Sequence, residues 1–373
     1  MNTITLVLLS AGKATRFHKN VRKQWIRIGH QPLWLHVSRA FEEVMHFDEI
    51  IIVSSAQEIA HMKHFASYTY VEGGDNRQAS LSNALQKVTS EHVLVSDIAR
   101  ACVPSEMIHR IAASKDEASC IVPTLNPVDT LYLDASPIAR ESVKIIQTPQ
   151  LSKTEVLKRA LETKTQYTDE SSAIAALGEK VLFVEGSEKA HKLTTLADLE
   201  RLPCLKAPSV INLTGFGIDT HPFESDKKMH LCGVPIDVDF GFKAHSDGDV
   251  AIHALIDALL GAAGMGDIGE LFPDTDDTYA GVNSTLLLEE TVNRIYAFGY
   301  LITNVDLTIV AETPKISPYK QHMRSTLSKH LRIDQNFVNI KATTAEKLGF
   351  IGRKEGVSVH AVANLTYTNW TQI

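Results

Sequence analysis

Cysteine is scarce in this chain, with four among 373 residues. Cys102, Cys120, Cys204 and Cys232 lie far apart and form no Cys-x-x-Cys pair, which excludes a structural zinc held by thiolates. The expectation is of scattered free thiols, as in a reducing cytoplasm. Basic charge is not in excess: 37 Lys+Arg stand against 44 Asp+Glu, a net charge of −7. No basic stripe with interleaved aromatics exists either, so nucleic acid is not an expected partner. Long apolar runs are also missing. Ile4-Thr5-Leu6-Val7-Leu8-Leu9 is short and follows no basic segment, so it reads as a buried strand rather than a signal peptide, and nothing approaches a membrane span.

What is present divides the chain in two. Its length exceeds one typical core, so two domains are expected. Residues 1–209 balance 24 cations with 24 anions, whereas residues 210–373 hold 13 against 20 and carry all of the net charge. An acidic second half suits a protein that gathers cations. Short apolar strands at Ile4–Leu9, Ile50–Val53 and Val93–Val95 alternate with helical stretches at Leu33–Met45 and Ile59–Phe65, the pattern of a mostly parallel sheet covered on both faces. The segment Pro123–Gln150 breaks that rhythm and reads as an extended arm. Arg201–Ser209 carries two prolines and no period, which sets the boundaries at 1–205, a linker 206–210, and 211–373. Beyond it, strands near Ile211–Gly217, Val305–Ala311, Val338–Ala342 and Val357–Leu365 mix with helices at Asp247–Ala263, Ser284–Phe298 and after Pro318. That is an α+β pattern, with helices packed on one face of a mixed sheet.

In the run His245-Ser246-Asp247-Gly248-Asp249 and onward to Gly261, Ile252, Leu255, Ile256, Leu259 and Leu260 recur at helical spacing. Asp249, His253 and Asp257 fall at i, i+4 and i+8. They are expected to share one line, with Asp257 orienting a ligand from behind. Upstream, Gly217-Ile218-Asp219-Thr220-His221-Pro222 ends a strand-like run whose alternation turns Asp219 and His221 to one side. One Asp and two His make an N/O donor set with room for a fourth, non-protein ligand, the pattern of a catalytic divalent-metal site with zinc foremost. A lone histidine on an apolar helix is ordinarily a core residue. His253 departs from that reading because Asp219 and His221 form a second, independent cluster.

In the first half three strand ends carry Gly, Asp and Arg together: Leu9-Ser10-Ala11-Gly12-Lys13-Ala14-Thr15-Arg16, Gly73-Gly74-Asp75-Asn76-Arg77-Gln78-Ala79-Ser80 and Val95-Ser96-Asp97-Ile98-Ala99-Arg100. Small residues there let backbone N–H groups approach an anion, and Arg16 and Lys23 are spaced to reach the same phosphates. With Asp129-Thr130, Arg140, Thr148-Pro149-Gln150, Thr168-Asp169-Glu170 and Lys192-Leu193-Thr194 in order, the first ~200 residues resemble the 2-C-methyl-D-erythritol 4-phosphate cytidylyltransferases, whose domain is an α/β Rossmann-like nucleotidyltransferase. The resemblance implies that Ser10, Ala11, Gly12, Gly73, Asp75, Ser80 and Asp97 hold the nucleotide. Arg16 and Lys23, with Gly12, would cradle the triphosphate of CTP with Mg²⁺, and Arg140 and Lys192, counted with them as catalytic, would help to place methylerythritol phosphate. Arg100, Thr130, Thr148 and Thr168, together with Asp97, would place methylerythritol phosphate, Thr130 and Arg140 reaching over from a partner subunit. Ala14 stands where the family carries a second glycine, and Ala101 where it carries proline.

About residues 211–368 resemble the α+β 2-C-methyl-D-erythritol 2,4-cyclodiphosphate synthases. The match runs through Asp219-Thr220-His221, His245 to Asp249, His253, Gly266-Asp267-Ile268-Gly269, Leu271-Phe272-Pro273-Asp274, Ala311-Glu312-Thr313-Pro314-Lys315, Lys341 to Phe350 and Gly352-Arg353. The resemblance implies Zn²⁺ on Asp219, His221 and His253, and Mg²⁺ or Mn²⁺ held by Glu346, with Thr344 beside it. Substrate contacts would come from His245, Ser246, Asp267, Gly269, Thr343, Phe350 and Arg353. Ala311, Pro314 and Lys315 would recognise cytidine from an adjacent subunit. His360 stands where members often carry glutamate at a central trimer cavity.

Together the halves imply a bifunctional, cytoplasmic enzyme of isoprenoid-precursor synthesis, with no membrane partner. It would transfer CMP from CTP and, separately, cyclise a cytidine diphosphate derivative with release of CMP. Two-fold contacts in one family and three-fold in the other imply a hexamer of D3 symmetry, or a trimer. Two other readings stand beside this one. Ala14 and Ala101 motivate a monofunctional cyclase with a scaffold front half. A nucleotide-sugar-type transferase with a regulatory metal domain is opposed by Glu346, Lys315 and the full ligand set.

Overall fold

The alternation of short apolar runs with helices becomes an eight-stranded sheet in the computed structural model, which describes residues 3–12, 20–163, 165–244, 246–273, 275 and 281–372. Ala14, Arg16, His245 and Asp274 lie outside those residues. Contacts divide the chain into two units, Met1–Ala207 with Trp370–Ile373, and Pro208–Asn369.

The sheet of the first unit contains β1 (Ile4–Leu9), β2 (Glu49–Ser54), β3 (Thr69–Glu72), β4 (His92–Asp97), β5 (Cys120–Leu125), β6 (Ile145–Ile146), β7 (Gln150–Lys153) and β8 (Val181–Glu185). The spatial order is β6-β5-β7-β4-β1-β2-β3, with β8 paired to β5. β1, β2, β3 and β4 run parallel, whereas β7 enters antiparallel between β4 and β5. Helices α1 (Leu33–Val44), α2 (Ala56–Met62), α3 (Arg77–Leu85), α4 (Ser105–Ala113), α5 (Thr154–Leu161) and α6 (Glu170–Ala176) join the strands. β4 is buried at every residue and β1 at all but Leu9, which is why Leu6–Leu9 and Val93–Val95 read as apolar runs. Register places the site: Leu9 is level with Val53 on one side and with Asp97 on the other, so the loops after β1, β2 and β4 leave the same edge. Of the segment Pro123–Gln150 expected to be an arm, Pro123–Leu125, Ile145–Ile146 and Gln150 belong to the sheet. The protruding part is the hairpin Leu131–Leu133 with Ser136–Ile138, where Tyr132 and Leu133 are exposed.

The second unit is a five-stranded mixed sheet of β9 (Leu213–Ser225), β10 (Phe240–Phe242), β11 (Tyr300–Val310), β12 (Val338–Thr343) and β13 (Gly356–Tyr367), in the order β10-β9-β13-β11-β12. Its helices are α7 (Val250–Ala263), α8 (Ser284–Ala297) and α9 (Lys320–Leu331). α7 is buried almost all round and lies directly on β9 and β13. Gly215 and Gly217 permit this, because a Cβ at either would strike the α7 backbone, at Ala258 and Ala262 or at Ala254 and Ala258. By alternation Asp219 and His221 continue the glycine face, while Phe216 and Ile218 point the other way and stay exposed.

The expectation of four free thiols is corrected by the structure. Cys102 and Cys204 are joined, with Cα atoms 5.8 Å apart across 102 residues of sequence, a pairing no spacing motif could signal. Cys120 and Cys232 are free and buried. Among the described residues no helix is long and apolar enough to cross a membrane.

Candidate active sites

At the carboxyl edge of the first sheet lies a cleft of about 600 Å³. Ser10, Ala11, Gly12, Lys23, Gly73, Asp75, Ser80, Asp97 and Lys192, all anticipated, line it, and so do Asn76, Arg77 and Thr194, which were not assigned roles. Gly73 has to be glycine: a Cβ there would sit 2.5 Å from that of Ala11. Ser80, in the first turn of α3, accepts from the Gly74 N–H at 3.0 Å and donates to the Asn76 carbonyl at 2.8 Å, which shapes the loop before the helix. The loop therefore presents backbone N–H groups at a helix N-terminus, a ready anion cradle.

Charge in this cleft is organised around Asp97. Lys192 Nζ lies 2.6 Å from its carboxylate and Arg77 Nε 3.4 Å, while Arg77 also grips the fully buried Glu170 at 2.6 Å. Burial pushes Asp97 up, but Arg77 and Lys192 outweigh it and hold the group below the usual carboxylate range. Burial has the upper hand at Glu170, whose pKa is raised. Arg77 could have been found in sequence as the basic member of the Gly73–Ser80 motif. Glu170 likewise stood in the Thr168-Asp169-Glu170 motif, but its pairing with Arg77, 93 residues away, left no sequence signal.

A second cleft shares Lys192 and Thr194 with the first and is bordered by Arg100, Lys189, His191 and Arg201. Arg100 is fixed by Thr148 Oγ1 at 3.0 Å and the Ala190 carbonyl at 2.6 Å. Thr168 is exposed ahead of α6. Thr130 and Arg140 lie exposed on the arm, Arg140 donating to the Val128 carbonyl, and neither lines these clefts within one chain.

In the second unit β9 and α7 bring Asp219, His221 and His253 together. Their donor atoms lie within 4.8 Å of one another, and this is the one such His/Cys/Asp/Glu group among the described residues. Asp219 Oδ2 is 3.1 Å from His221 Nε2 and 3.2 Å from His253 Nδ1. Burial would raise Asp219, yet the hydrogen bonds from both imidazoles hold it well below the ordinary range. Burial would lower His221, and the bond to Asp219 raises it instead. His221 Nδ1 faces the Gly248 carbonyl at 3.1 Å, which turns Nε2 inward.

Of the expected line of Asp249, His253 and Asp257, the two carboxylates are engaged with backbone N–H groups. Asp249 is the buried N-cap of α7, bonded by the N–H groups of Cys232, Gly233, Ala251 and Ile252. Asp257 accepts from the Ile268 N–H at 2.8 Å and so anchors the loop that carries Asp267 and Gly269. Ser246 is within 3.3 Å of His253 Nε2.

Ala311, Pro314, Lys315, Thr343, Thr344 and Glu346 sit on two joined loops, since Ala311 N–H donates to the Thr343 carbonyl and Lys347 N–H to Glu312. Thr344 donates to Glu346 at 2.6 Å. Glu346 and Lys347 both have positive φ, 49° and 63°, and Glu346 stands outside the three-residue group. Consecutive non-glycine residues in the left-handed region cost free energy, and such strain gathers at functional loops. Phe350 and Arg353 follow, exposed, Arg353 paired with Glu355 at 2.8 Å.

Comparison with known proteins joins the two sites. A model of the 2-C-methyl-D-erythritol 4-phosphate cytidylyltransferase family matches residues 4–203, and one of the YgbB family matches residues 213–366. A bifunctional enzyme IspD/IspF from Sulfurovum sp. (strain NBC37-1) is 64% identical over 100% of both chains. The chain belongs to the bifunctional IspD/IspF family. Its relative from Aliarcobacter butzleri is 53% identical over 99% of each chain. The structure of the bifunctional IspDF from Campylobacter jejuni superposes with a TM-score of 0.91 at 45% identity, covering 99% of this chain and 100% of that one. As a member, the chain is a cytidylyltransferase and a cyclodiphosphate synthase of isoprenoid biosynthesis, and these activities imply CTP and methylerythritol phosphate as substrates. Both family models fill their halves, which disfavours an inactive scaffold.

Proposed function

We propose that the two clefts of the first unit are the nucleotide and sugar-phosphate halves of the cytidylyltransferase site, and that Asp219, His221 and His253 hold Zn²⁺ in the cyclase site. The observation that carries this reading is the convergence of one carboxylate and two imidazoles within 4.8 Å, an N/N/O set that leaves a fourth position free.

In the first reaction an oxygen of methylerythritol phosphate bonds to the α-phosphorus of CTP while the bond to pyrophosphate breaks. A phosphate is already a competent nucleophile, so the protein supplies position and charge rather than a base. Backbone groups around Ser10–Gly12 and Gly73–Ser80 hold the nucleotide. Lys23, with Arg16, neutralises the triphosphate alongside Mg²⁺. Arg100, Thr148, Thr168 and Lys192 place the sugar phosphate, and Thr130 and Arg140 complete the site from a partner's arm.

In the second, the substrate's 2-phosphate bonds to the β-phosphorus and CMP leaves. When bound, zinc on the triad and Mg²⁺ or Mn²⁺ at Glu346 supply Lewis acidity to the two phosphates. The chain's own groups orient the rest: His245, Ser246, Asp267 and Gly269 hold the sugar, Thr343 and Thr344 offer hydroxyls to the phosphates, and Ala311, Pro314 and Lys315 receive cytidine. Phe350 and Arg353 border the same substrate. The exposed arm residues Val128, Tyr132 and Leu133, and Phe216 and Ile218 on β9, support a homo-oligomer, with D3 symmetry if both contacts are kept.

The test is pyrophosphate release from CTP and Mg²⁺ with and without methylerythritol phosphate, followed by CMP release from the diphosphocytidyl substrate before and after chelation. Sugar-phosphate-dependent pyrophosphate release, and CMP release that disappears on chelation and returns with Zn²⁺, are expected. CMP release that ignores chelation would sink the metal assignment.

A further inference from the structure

His253 is bonded on both sides of its ring. Nδ1 faces Asp219 Oδ2 at 3.2 Å, and Nε2 faces Ser284 Oγ at 3.0 Å. Ser284 is the first residue of α8 and fully buried. Its hydroxyl donates to Asp247 Oδ1 and its N–H to Asp247 Oδ2 at 3.1 Å. Asp247 Oδ1 also accepts from the Asp249 N–H at 3.3 Å, and the Asp247 N–H donates to the Val282 carbonyl at 3.2 Å. A carboxylate two residues before the N-cap of α7 is thus tied to the start of α8, and through it to the one metal-site histidine borne on a helix.

The direction of this chain is fixed by its donors. A carboxylate offers no proton, and a serine hydroxyl offers one. Once Ser284 gives its proton to Asp247, its oxygen can only accept, so the ring proton of neutral His253 is drawn to Nε2. Nδ1, which meets the Asp219 carboxylate when no metal is bound, is then the nitrogen whose lone pair a metal between Asp219 and His221 would take. Ser246 Oγ lies 3.3 Å from the same Nε2 and accepts from the Gly248 N–H at 3.1 Å. Capping does not explain the Ser284 hydroxyl. Asn283 already caps α8, accepting from the Thr285 N–H at 2.9 Å.

We propose that Ser284 and Asp247 are positioning residues for the cyclase, an Asp247–Ser284–His253 relay that selects the His253 tautomer able to bind the metal through Nδ1. The proposal rests on the zinc reading given above. Outer partners of metal-bound histidines typically change metal affinity by about 10- to 100-fold when removed.

The experiment measures Zn²⁺ affinity by competition with a chromophoric chelator, on the full chain, for the unmodified protein, His253→Ala, Ser284→Ala and Asp247→Asn. Melting curves and sugar-phosphate-dependent pyrophosphate release are followed in parallel, the latter as a control in the other unit. Ser284→Ala is expected to weaken Zn²⁺ about 10- to 100-fold. Asp247→Asn is expected to weaken it at least as much, because an amide can donate to Ser284 and reverse the relay. Pyrophosphate release should be unchanged in both. Zn²⁺ affinity within twofold of the unmodified protein for both variants, with only the melting temperature lowered, would show a purely structural role and overturn the relay. Failure of the unmodified chain to bind Zn²⁺ more tightly than His253→Ala would overturn the zinc reading itself, and the relay with it.

Discussion

His253 becomes a ligand only because a strand and a helix meet at its position. On β9 the period of two puts Asp219 and His221 on one face, and on α7 the apolar stripe carries His253 to the same place, so all three were legible as residue types in a pattern. The role of Asp257 was misread, since spacing along a helix fixes the side a residue faces but not the donor it finds; its carboxylate took the Ile268 N–H. Ser284 left no trace in the pattern, because its link to His253 spans 31 residues and a separate helix. His253→Ala should abolish CMP release by the cyclase, a loss of at least about 10³-fold if the metal supplies several kcal/mol of transition-state stabilisation. Pyrophosphate release should remain within twofold. Parallel assays on one preparation check this, and equal loss of both activities would contradict two independent sites.

Strand alternation and helix periodicity carried most of the element pattern, and the glycines of β9 show how an element positions a site. Gly217→Ala would set a methyl against the carbonyl of Ala254 on α7 and push the helix off the sheet. Overpacking against backbone costs about 3 kcal/mol or more. A lower melting temperature and weakened Zn²⁺ binding are expected together; unchanged values in both would show that α7 does not need this close seat. The antiparallel entry of β7 was not legible, since Gln150-Leu151-Ser152-Lys153 holds one apolar residue and carries no signal of strand direction. Asp169 caps α6, accepting from the Ser172 N–H at 3.2 Å and from Gln150 Nε2 at 2.9 Å. Burial raises its pKa, but the bonds from Ser171, Ser172 and Gln150 lower it further than burial lifts it. Its folded pKa therefore lies below the unfolded value of about 3.9, so its stabilisation is present above about pH 4 and is lost as pH falls through the folded pKa. Asp169→Asn keeps a capping oxygen and loses only the charge, so it should melt below the parent at pH 7 by about 0.3–1 kcal/mol, with the gap closing as pH falls below about 4. Trp25, Trp34 and Trp370 all belong to the first unit, so tryptophan fluorescence follows that unit alone. A gap that widens with acid would refute the sign.

At the scale of the whole molecule, the two-domain division was readable from charge and from the proline-bearing stretch near residue 205. The Cys102–Cys204 link was not, because cysteine positions alone do not determine connectivity. A hexamer is expected by native mass measurement at micromolar concentration; a monomer would refute both symmetry contacts. Deleting the arm hairpin should leave a trimer with cyclase activity.

Trp370 belongs to the first unit, where its Nε1 donates to the Arg27 carbonyl at 2.7 Å. The second unit begins on β9 and ends on β13, neighbours that place Leu213 opposite Leu365, so the chain enters and leaves it side by side. In topological terms the cyclase is a guest inserted near the end of its host rather than a bead after it. Cutting the gene at codon 207 would therefore remove the Trp370 contact from the transferase unit, while keeping all of residues 4–203 that the family model spans. The cyclase unit, by contrast, is one uninterrupted stretch, Pro208–Asn369, and can be cut free at its two ends.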